Sequence, residues 1–187
     1  MTEDAPDRPS SLPARGVPLL IVAELPRDVF AWADALRRRH YPPDRNRLAA
    51  HVTLFHGLPP SAHGEVVRLL ADLATSPPPE ARLAGIMDLG RGTALAVDSP
   101  GMAALHREMA GRLSGLIQQK DAQPVRLHVT VQNKVSAAGA HALQDELART
   151  VEARSFRFRG LGLYGWTGEI WQQLRIFPFR GTGDLGS

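Results

Sequence analysis

The sequence predicts an α+β fold built from two similar halves, with two mostly antiparallel sheets lining a central cleft and helices on the outer faces. Short apolar segments of strand type alternate with segments of helical period along the chain. The pattern His, apolar, Thr, apolar occurs twice, and its histidines, His51 and His128, are 77 residues apart. This offset indicates an internal repeat of about 75 residues. Two further residue pairs recur at 74 and 75 residues: Pro26 with Pro100 and Gly85 with Gly160.

The first half begins with a continuous apolar run at residues 18–23, which predicts a strand buried on both faces. A helix follows, because its apolar positions have helical spacing, with Arg37, Arg38 and Arg39 expected on the solvent side. Pro42-Pro43 ends it. The remaining elements of this half are a strand at 47–58, a helix capped by Ser61, and a strand at 82–89. The last of these forms a mid-chain hairpin with a strand at 93–98, which opens the second half.

The second half repeats this order. It is predicted to contain a helix at 100–118, the strand with the second motif, a helix capped by Ser136, and a final hairpin of strands at 155–164 and 169–179. We therefore expect one bilobal domain over residues 16–180, with lobes at about 17–90 and 93–180. Residues 1–15 are predicted to be a disordered tail, because they are rich in proline and charge, and residues 181–187 a frayed end.

Composition narrows the function without deciding it. The 22 basic and 19 acidic residues give a net charge of +3, which permits an anionic ligand such as RNA without requiring one. The absence of cysteine excludes disulfides, thiolate nucleophiles and cysteine-ligated metals. The first 15 residues lack the apolar stretch of a signal peptide or membrane anchor. These features favour a cytoplasmic protein without a membrane partner, and we expect a monomer.

The two motifs place chemically active side chains on one face of each strand. Side chains alternate along a strand, so His51, Thr53 and Phe55 should share a face, opposite Val52 and Leu54. The second copy sorts in the same way, with one face formed by His128, Thr130 and Gln132. Only roughly 0.05 such tetrapeptides are expected by chance in this composition. Two copies therefore indicate a shared site rather than two structural histidines.

The twin His-x-Thr-x motifs, one in each half of a small duplicated domain, resemble those of the two-histidine (2H) phosphoesterase superfamily. The bacterial 2'-5' RNA ligase and cyclic phosphodiesterase branch is the most similar. The resemblance covers the chain from Leu19-Leu20-Ile21-Val22-Ala23 to Arg175-Ile176-Phe177-Pro178-Phe179. It implies a bilobal α+β fold and a site made of two catalytic histidines and two phosphate-binding threonines: His51, His128, Thr53 and Thr130. In that branch an Arg often follows the second motif, where this chain has Gln132-Asn133-Lys134.

The activity implied is a phosphodiesterase that hydrolyses 2',3'-cyclic phosphate ends to a 2'-phosphate, with reversible 2'-5' RNA ligation as a second direction. Its partners are RNA ends or small nucleotides with a cyclic phosphate or a 2'-5' linkage. Opening such a ring needs one group to take a proton from water and another to protonate the departing oxygen. Two opposed imidazoles fit this need without a metal or cofactor, since histidine titrates near neutral pH. The resemblance makes His128 the base and His51 the acid.

Other residues are candidates for substrate contact. Phe55 and Gln132 share a face with the motif residues, and packing in the core is an equal alternative for Phe55. Arg91 and Lys134 are cations at a turn or strand end, for which a solvated surface charge is the alternative. Tyr164 and Trp171 belong to the final hairpin, where packing in the core is the alternative role. His56 is expected to point away from the cleft. Two alternative functions stay open: a metallohydrolase that uses both histidines as ligands, and a nucleotide- or RNA-binding module without turnover.

Overall fold

The structure is a computed structural model that describes residues 16–182. The predicted tail at 1–15 and the last five residues of the predicted frayed end lie outside this range. Gly181, within it, donates its backbone N–H to the Ser76 carbonyl at 3.1 Å, so this part of the end is held against the domain.

Eight strands and four α-helices follow one another over residues 16–182. The strands are β1 (Leu19–Glu24), β2 (Val52–Leu58), β3 (Glu80–Asp88), β4 (Gly92–Asp98), β5 (His128–Asn133), β6 (Ser155–Arg157), β7 (Gly160–Trp166) and β8 (Trp171–Pro178). The helices are α1 (Arg27–His40), α2 (His63–Leu73), α3 (Pro100–Arg112) and α4 (Ala137–Thr150). Short 3-10 turns lie at Pro43–Arg45, Pro60–Ala62 and Gln119–Ala122.

Side-chain capping and backbone conformation explain where α4 starts and where α3 ends, whereas α2 starts without a side-chain cap. The Ser136 hydroxyl accepts a hydrogen bond from the Gly139 N–H at 3.1 Å and caps α4 as predicted. Ser61, the cap predicted for α2, instead lies within a 3-10 turn, and the helix starts at His63 without a side-chain cap. Helix α3 ends at residue 112 rather than 118, and Gly115 has a φ of 87°, which no α-helix accommodates.

The strands form one sheet in the order β6-β3-β4-β5-β2-β1-β7-β8, and every neighbouring pair is antiparallel. The predicted α+β class is confirmed. The two sheets expected from the sequence are the two four-stranded halves of this ladder. They meet between β2 and β5 through a single residue pair, Val52 with Val129. Beyond this pair the ladder is interrupted, which leaves a cleft where the halves join.

The two halves of the sheet do not coincide with the predicted lobes at 17–90 and 93–180. Strand β3 pairs with β4, so it lies in the half that contains the second motif. Strand β7 pairs with β1 and lies in the half that contains the first motif. The single strand predicted at 155–164 is divided between the halves, because β6 pairs with β3 and β7 does not. The halves therefore exchange strands.

Strand β1 separates the core from the cleft. Leu19, Ile21 and Ala23 belong to the continuous hydrophobic core, as the apolar run predicted. Leu20, on the opposite face, lines the cleft, and Glu24 ends this face at the edge of a cavity of about 660 Å³. Burial of each leucine or isoleucine side chain contributes about 1.5–3 kcal/mol to folding. This packing fixes the strands that carry the two motifs.

Candidate active site

The histidines and threonines of the two motifs lie together on one face of the sheet where its halves meet. Val52 and Val129 pair directly across β2 and β5, and both side chains are fully buried on the core face. Because residues adjacent to them point the opposite way, the motif histidines and threonines face the cleft. Continuing the antiparallel register by one residue sets each histidine against the threonine of the other motif. This extrapolation places His51 on the side of Thr130 and His128 on the side of Thr53, flanking the one pair that β2 and β5 form.

Backbone carbonyls hold both imidazoles in the same way. His51 Nδ1 lies 2.7 Å from the Ala49 carbonyl oxygen, and His128 Nδ1 lies 2.6 Å from the Arg126 carbonyl oxygen. A carbonyl only accepts, so Nδ1 carries the proton in both rings and Nε2 is left for chemistry. His51 Nε2 lies 3.1 Å from Thr53 Oγ1, and in the neutral ring this nitrogen accepts the hydroxyl proton. Both motifs thus present an imidazole with its Nε2 directed away from the backbone.

The environment of His51 favours the neutral ring. Its pKa is lowered from 6.5 to about 4, mainly because burial removes water from the charged form. The positive charges of Arg37, His128 and His56 lower this pKa further, whereas the hydrogen bond to Ala49 opposes the shift. At neutral pH the imidazole of His51 therefore carries no charge.

Arg37 connects α1 to the second motif. It is 5% exposed, and its guanidinium donates to the Thr130 carbonyl at 2.7 Å and to Asn46 Oδ1 at 2.8 Å. This corrects the prediction that Arg37 faces solvent. The sequence contained a signal for this position, since Arg37 follows the buried Ala33 by four residues on the same helix face.

A cavity of about 410 Å³ lies over the motifs. His51, Thr53 and Thr130 line it, whereas His128 is not part of its lining and acts on His51 from beside it. Arginine and lysine supply the charged groups of the lining within the described chain, namely Arg37, Arg45, Arg47 and Lys134. A site with two threonine hydroxyls, imidazoles and several cations suits a phosphate group.

A β-bulge changes the facing of residues after the first motif. Val22 of β1 pairs with Thr53 of β2, but the next residue of β1, Ile21, pairs with Phe55. Leu54 is therefore an extra residue in β2. Phe55 therefore turns into the core, where it is fully buried and stacks on His106 with ring centroids 4.5 Å apart. His56 turns into the cleft and lines the cavity. Phe55 therefore takes the core alternative rather than the cleft, and the prediction that His56 points away from the cleft is wrong.

The second motif has the same bulge. Ala94 of β4 pairs with Thr130, whereas its neighbour Thr93 pairs with Gln132, so Val131 is the extra residue in β5. Gln132, predicted as a substrate contact, is 8% exposed and its Oε1 accepts a hydrogen bond from Thr93 Oγ1 at 3.2 Å. Asn133 lines the cleft in its place. His56 and Asn133 are therefore equivalent residues of the repeat that sequence reasoning missed.

Comparison with known proteins decides the family. Residues 25–169 match the 2'-5' RNA ligase superfamily. The chain belongs to this superfamily. The match covers most of the chain, includes both motifs, and agrees with the 2H phosphoesterase resemblance found from the motifs. No curated protein matches the sequence.

Several solved structures share the fold of this chain. TT0787 of Thermus thermophilus is 19% identical with a TM-score of 0.60, over 88% of this chain and 98% of that one. Escherichia coli LigT in complex with 3'-AMP is 16% identical with a TM-score of 0.59, over the same shares. A phosphoesterase is 20% identical with a TM-score of 0.58, also over 88% and 98%. At these identities the likeness concerns the fold.

Of the other predicted contacts in this member of the 2'-5' RNA ligase superfamily, two lie at the cleft. Lys134 lines the cavity and has a φ of 60°, a left-handed conformation that is uncommon for a residue with a side chain. Trp171 lines the same cavity, with its ring centroid 5.3 Å from that of His56. Arg91 is not part of the lining and donates to the Val135 carbonyl at 3.0 Å, so its predicted role is not supported by its position.

Tyr164 lines a second, larger cavity of about 660 Å³ beside the first, and its hydroxyl donates to Glu24 at 2.9 Å. Between residues 16 and 182, no three side chains of His, Cys, Asp or Glu lie close enough together to hold a metal ion. None of the helices in this range combines the length and apolar character needed to cross a bilayer.

Proposed function

We propose that this member of the 2'-5' RNA ligase superfamily is a phosphodiesterase that opens 2',3'-cyclic phosphates to 2'-phosphates by acid–base catalysis between His51 and His128. The superfamily contains phosphoesterase-type enzymes, and the finer assignment rests on one observation. Two imidazoles, each fixed through Nδ1 by a backbone carbonyl, share a face with two threonines beside a cavity with a cationic lining.

The reaction balances with the groups present. Nε2 of one histidine takes a proton from water, and the oxygen of that water attacks phosphorus. The bond from phosphorus to the ribose 3' oxygen breaks, and the second histidine donates its proton to that oxygen. Thr53 and Thr130 donate to the non-bridging oxygens, whose charge the surrounding cations stabilise. When a 5'-hydroxyl takes the place of water as the nucleophile, the same P–O3' bond breaks and the product is a 2'-5' linkage. The reverse of that reaction regenerates the cyclic phosphate and the 5'-hydroxyl.

The family resemblance makes His51 the acid, and this role sets a condition on its protonation. As the acid, His51 must carry a proton in the complex, although its low pKa keeps the free ring neutral. A bound phosphate anion favours the imidazolium form of His51, so substrate binding is coupled to uptake of a proton. An imidazolium of intrinsically low pKa donates that proton readily. His128 then acts as the base. Calorimetry of 2'-AMP binding at pH 7 in buffers of different ionisation enthalpy should show proton uptake. Binding without uptake would exchange the roles.

The proposed function is tested by incubating the protein with 2',3'-cyclic nucleotides and identifying the products by ³¹P NMR. We expect 2'-phosphates only. His51→Ala and His128→Ala should each lower turnover by about 10²–10⁴-fold, and the double variant should lower it little further, because the two groups act in one step.

The exposed His141 on α4 provides the matched control, and His141→Ala should retain full turnover. Circular dichroism establishes that each variant is folded. Hydrolysis at the wild-type rate by a folded His51→Ala or His128→Ala protein would refute the mechanism.

A further inference from the structure

The larger cavity adjoins the phosphate cleft and shares part of its wall. Arg47, His51 and Trp171 line both the 410 Å³ cavity over the motifs and the 660 Å³ cavity beside it. A phosphate held on the motifs is therefore next to a space with aromatic side chains in its wall, including Phe30 and Tyr164. Aromatic faces stack on nucleobases. The position and the lining suit the nucleoside attached to that phosphate.

One carboxylate of this cavity forms no salt bridge among the described residues. Burial raises the pKa of Glu24, and the Tyr164 hydrogen bond and the charge of Arg159 oppose that shift. Glu24 lies at the end of β1, and its Oε1 accepts a hydrogen bond from the Tyr164 hydroxyl at 2.9 Å. Burial and the neighbouring carboxylate raise the pKa of Tyr164, so the phenol remains a donor. Among the described residues Glu24 makes no ion pair, and its Oε2 has no hydrogen-bond partner.

A missing side chain on β7 makes room for this carboxylate. A Cβ at Gly162 would collide with Oε1 of Glu24 and would lie 2.8 Å from Cε2 of Tyr164. The glycine therefore allows both groups to lie against the strand. Asp34, the second carboxylate of the cavity, is already engaged, since its Oδ1 accepts from the Ala50 N–H at 2.9 Å and its Oδ2 pairs with Arg38 at 3.2 Å. Of these two carboxylates, Glu24 is thus the one that can still accept from a ligand.

We infer that this cavity binds the base of the nucleotide whose phosphate lies on the motifs, and that Glu24 selects guanine. This inference rests on the proposed function for the position of the phosphate. An ionised carboxylate only accepts hydrogen bonds, and it accepts two in parallel. The Watson–Crick edge of guanine presents two adjacent donors, the N1–H and the 2-amino group. Adenine and cytosine present an amino group next to a ring acceptor, and uracil presents one N–H between two carbonyls. In each case an acceptor lone pair of the base would face one oxygen of the carboxylate and be repelled by it.

Direct binding tests the inference without turnover. The probes are 2'-GMP, 2'-AMP, 2'-CMP and 2'-UMP, measured by calorimetry with the full chain. We expect 2'-GMP to bind about tenfold or more tightly than the others, as is usual for one bidentate base contact. Glu24→Gln replaces one acceptor by a donor and should weaken 2'-GMP binding about tenfold relative to 2'-UMP binding.

Gly162→Ala provides a second variant that keeps Glu24 but displaces its carboxylate, and it should reduce the same preference. Thermal unfolding establishes that both variants are folded. Equal affinity for the four nucleotides, or an equal loss for all four in Glu24→Gln, would overturn the inference. Guanine preference without hydrolysis of any cyclic nucleotide would refute the proposed function and leave the base site standing. Hydrolysis of all four cyclic nucleotides with equal product affinities would overturn the guanine site and leave the proposed function standing.

Discussion

The neutral ring of His51 should make the fold sensitive to acid, and His51→Gln should remove part of that sensitivity. The pKa of His51 is about 4 in the folded protein and near 6.5 in the unfolded chain. As the pH falls below 6.5, the unfolded chain binds a proton that the folded protein does not bind. The stability contributed by the neutral ring is therefore complete above pH 6.5 and is lost as the pH falls towards 4.

The magnitude follows from the two pKa values. Between pH 7.5 and pH 5, proton binding to the unfolded chain lowers the free energy of unfolding by about 2 kcal/mol. Because His51 is partly open to the cleft, solvent screening reduces this to between about 1 and 2 kcal/mol. Burial also lowers the pKa of His40 and of His106, so both contribute to the acid sensitivity of the whole protein. Those contributions cancel when wild type and variant are compared.

The assay is urea unfolding followed by circular dichroism at both pH values. Wild type should lose about 1–2 kcal/mol more than His51→Gln between pH 7.5 and pH 5. The exposed His141 provides a control substitution, His141→Gln, which should behave as wild type. If His51→Gln loses as much stability as wild type, His51 is not held neutral and the electrostatic account of the site fails.

Three further predictions test the packing and chemistry around the motifs. Phe55→Ala should lower the free energy of unfolding by about 3–5 kcal/mol in urea unfolding, because the ring is fully buried against His106, and a cost below about 1 kcal/mol would place it outside the core. Arg37→Met should raise the pKa of His51, measured by NMR titration, because one of the charges that lower it is removed; an unchanged or lower value would contradict this. The same variant should lose stability, since the Thr130 carbonyl loses its donor. Turnover should survive exhaustive treatment with a chelator, and activity restored only by a divalent metal would favour the metallohydrolase instead.

Periodicity predicted most elements because it reports which face of a strand or helix is buried. The apolar run of β1, the helical spacing of α1 and the Ser136 cap of α4 were all recognisable in the sequence. The motif residues were located for the same reason: the identical pattern in both halves marks equivalent strands. Local information was sufficient wherever the chain's own alternation decides the orientation of a side chain.

The β-bulges could not be predicted from the alternation of residues along the strand. The orientation of residues after each motif depends on the pairing of that strand with its neighbour, and one extra residue reverses the alternation. Phe55 and Gln132 were therefore assigned to the cleft, and His56 to the opposite face. The equal position of the bulge in both motifs shows that the repeat preserves it. Arg37 was missed for a different reason, because arginine was taken as a solvent residue although its spacing matched the buried face.

The exchange of strands between the halves determines what each repeat can be alone. Strand β3 pairs with β4 and β6 but with no strand of its own repeat, and β7 crosses back to cover the edge of β1. A polypeptide ending near residue 90 would leave β3 without a neighbour and the backbone of β1 exposed along one side. Two copies of such a polypeptide could pair the exposed backbone groups of β1 and β3 only if each copy placed its β3 strand in the sheet of the other. The present chain contains that reciprocal arrangement within one covalent molecule, so its autonomous folding unit is the pair of repeats.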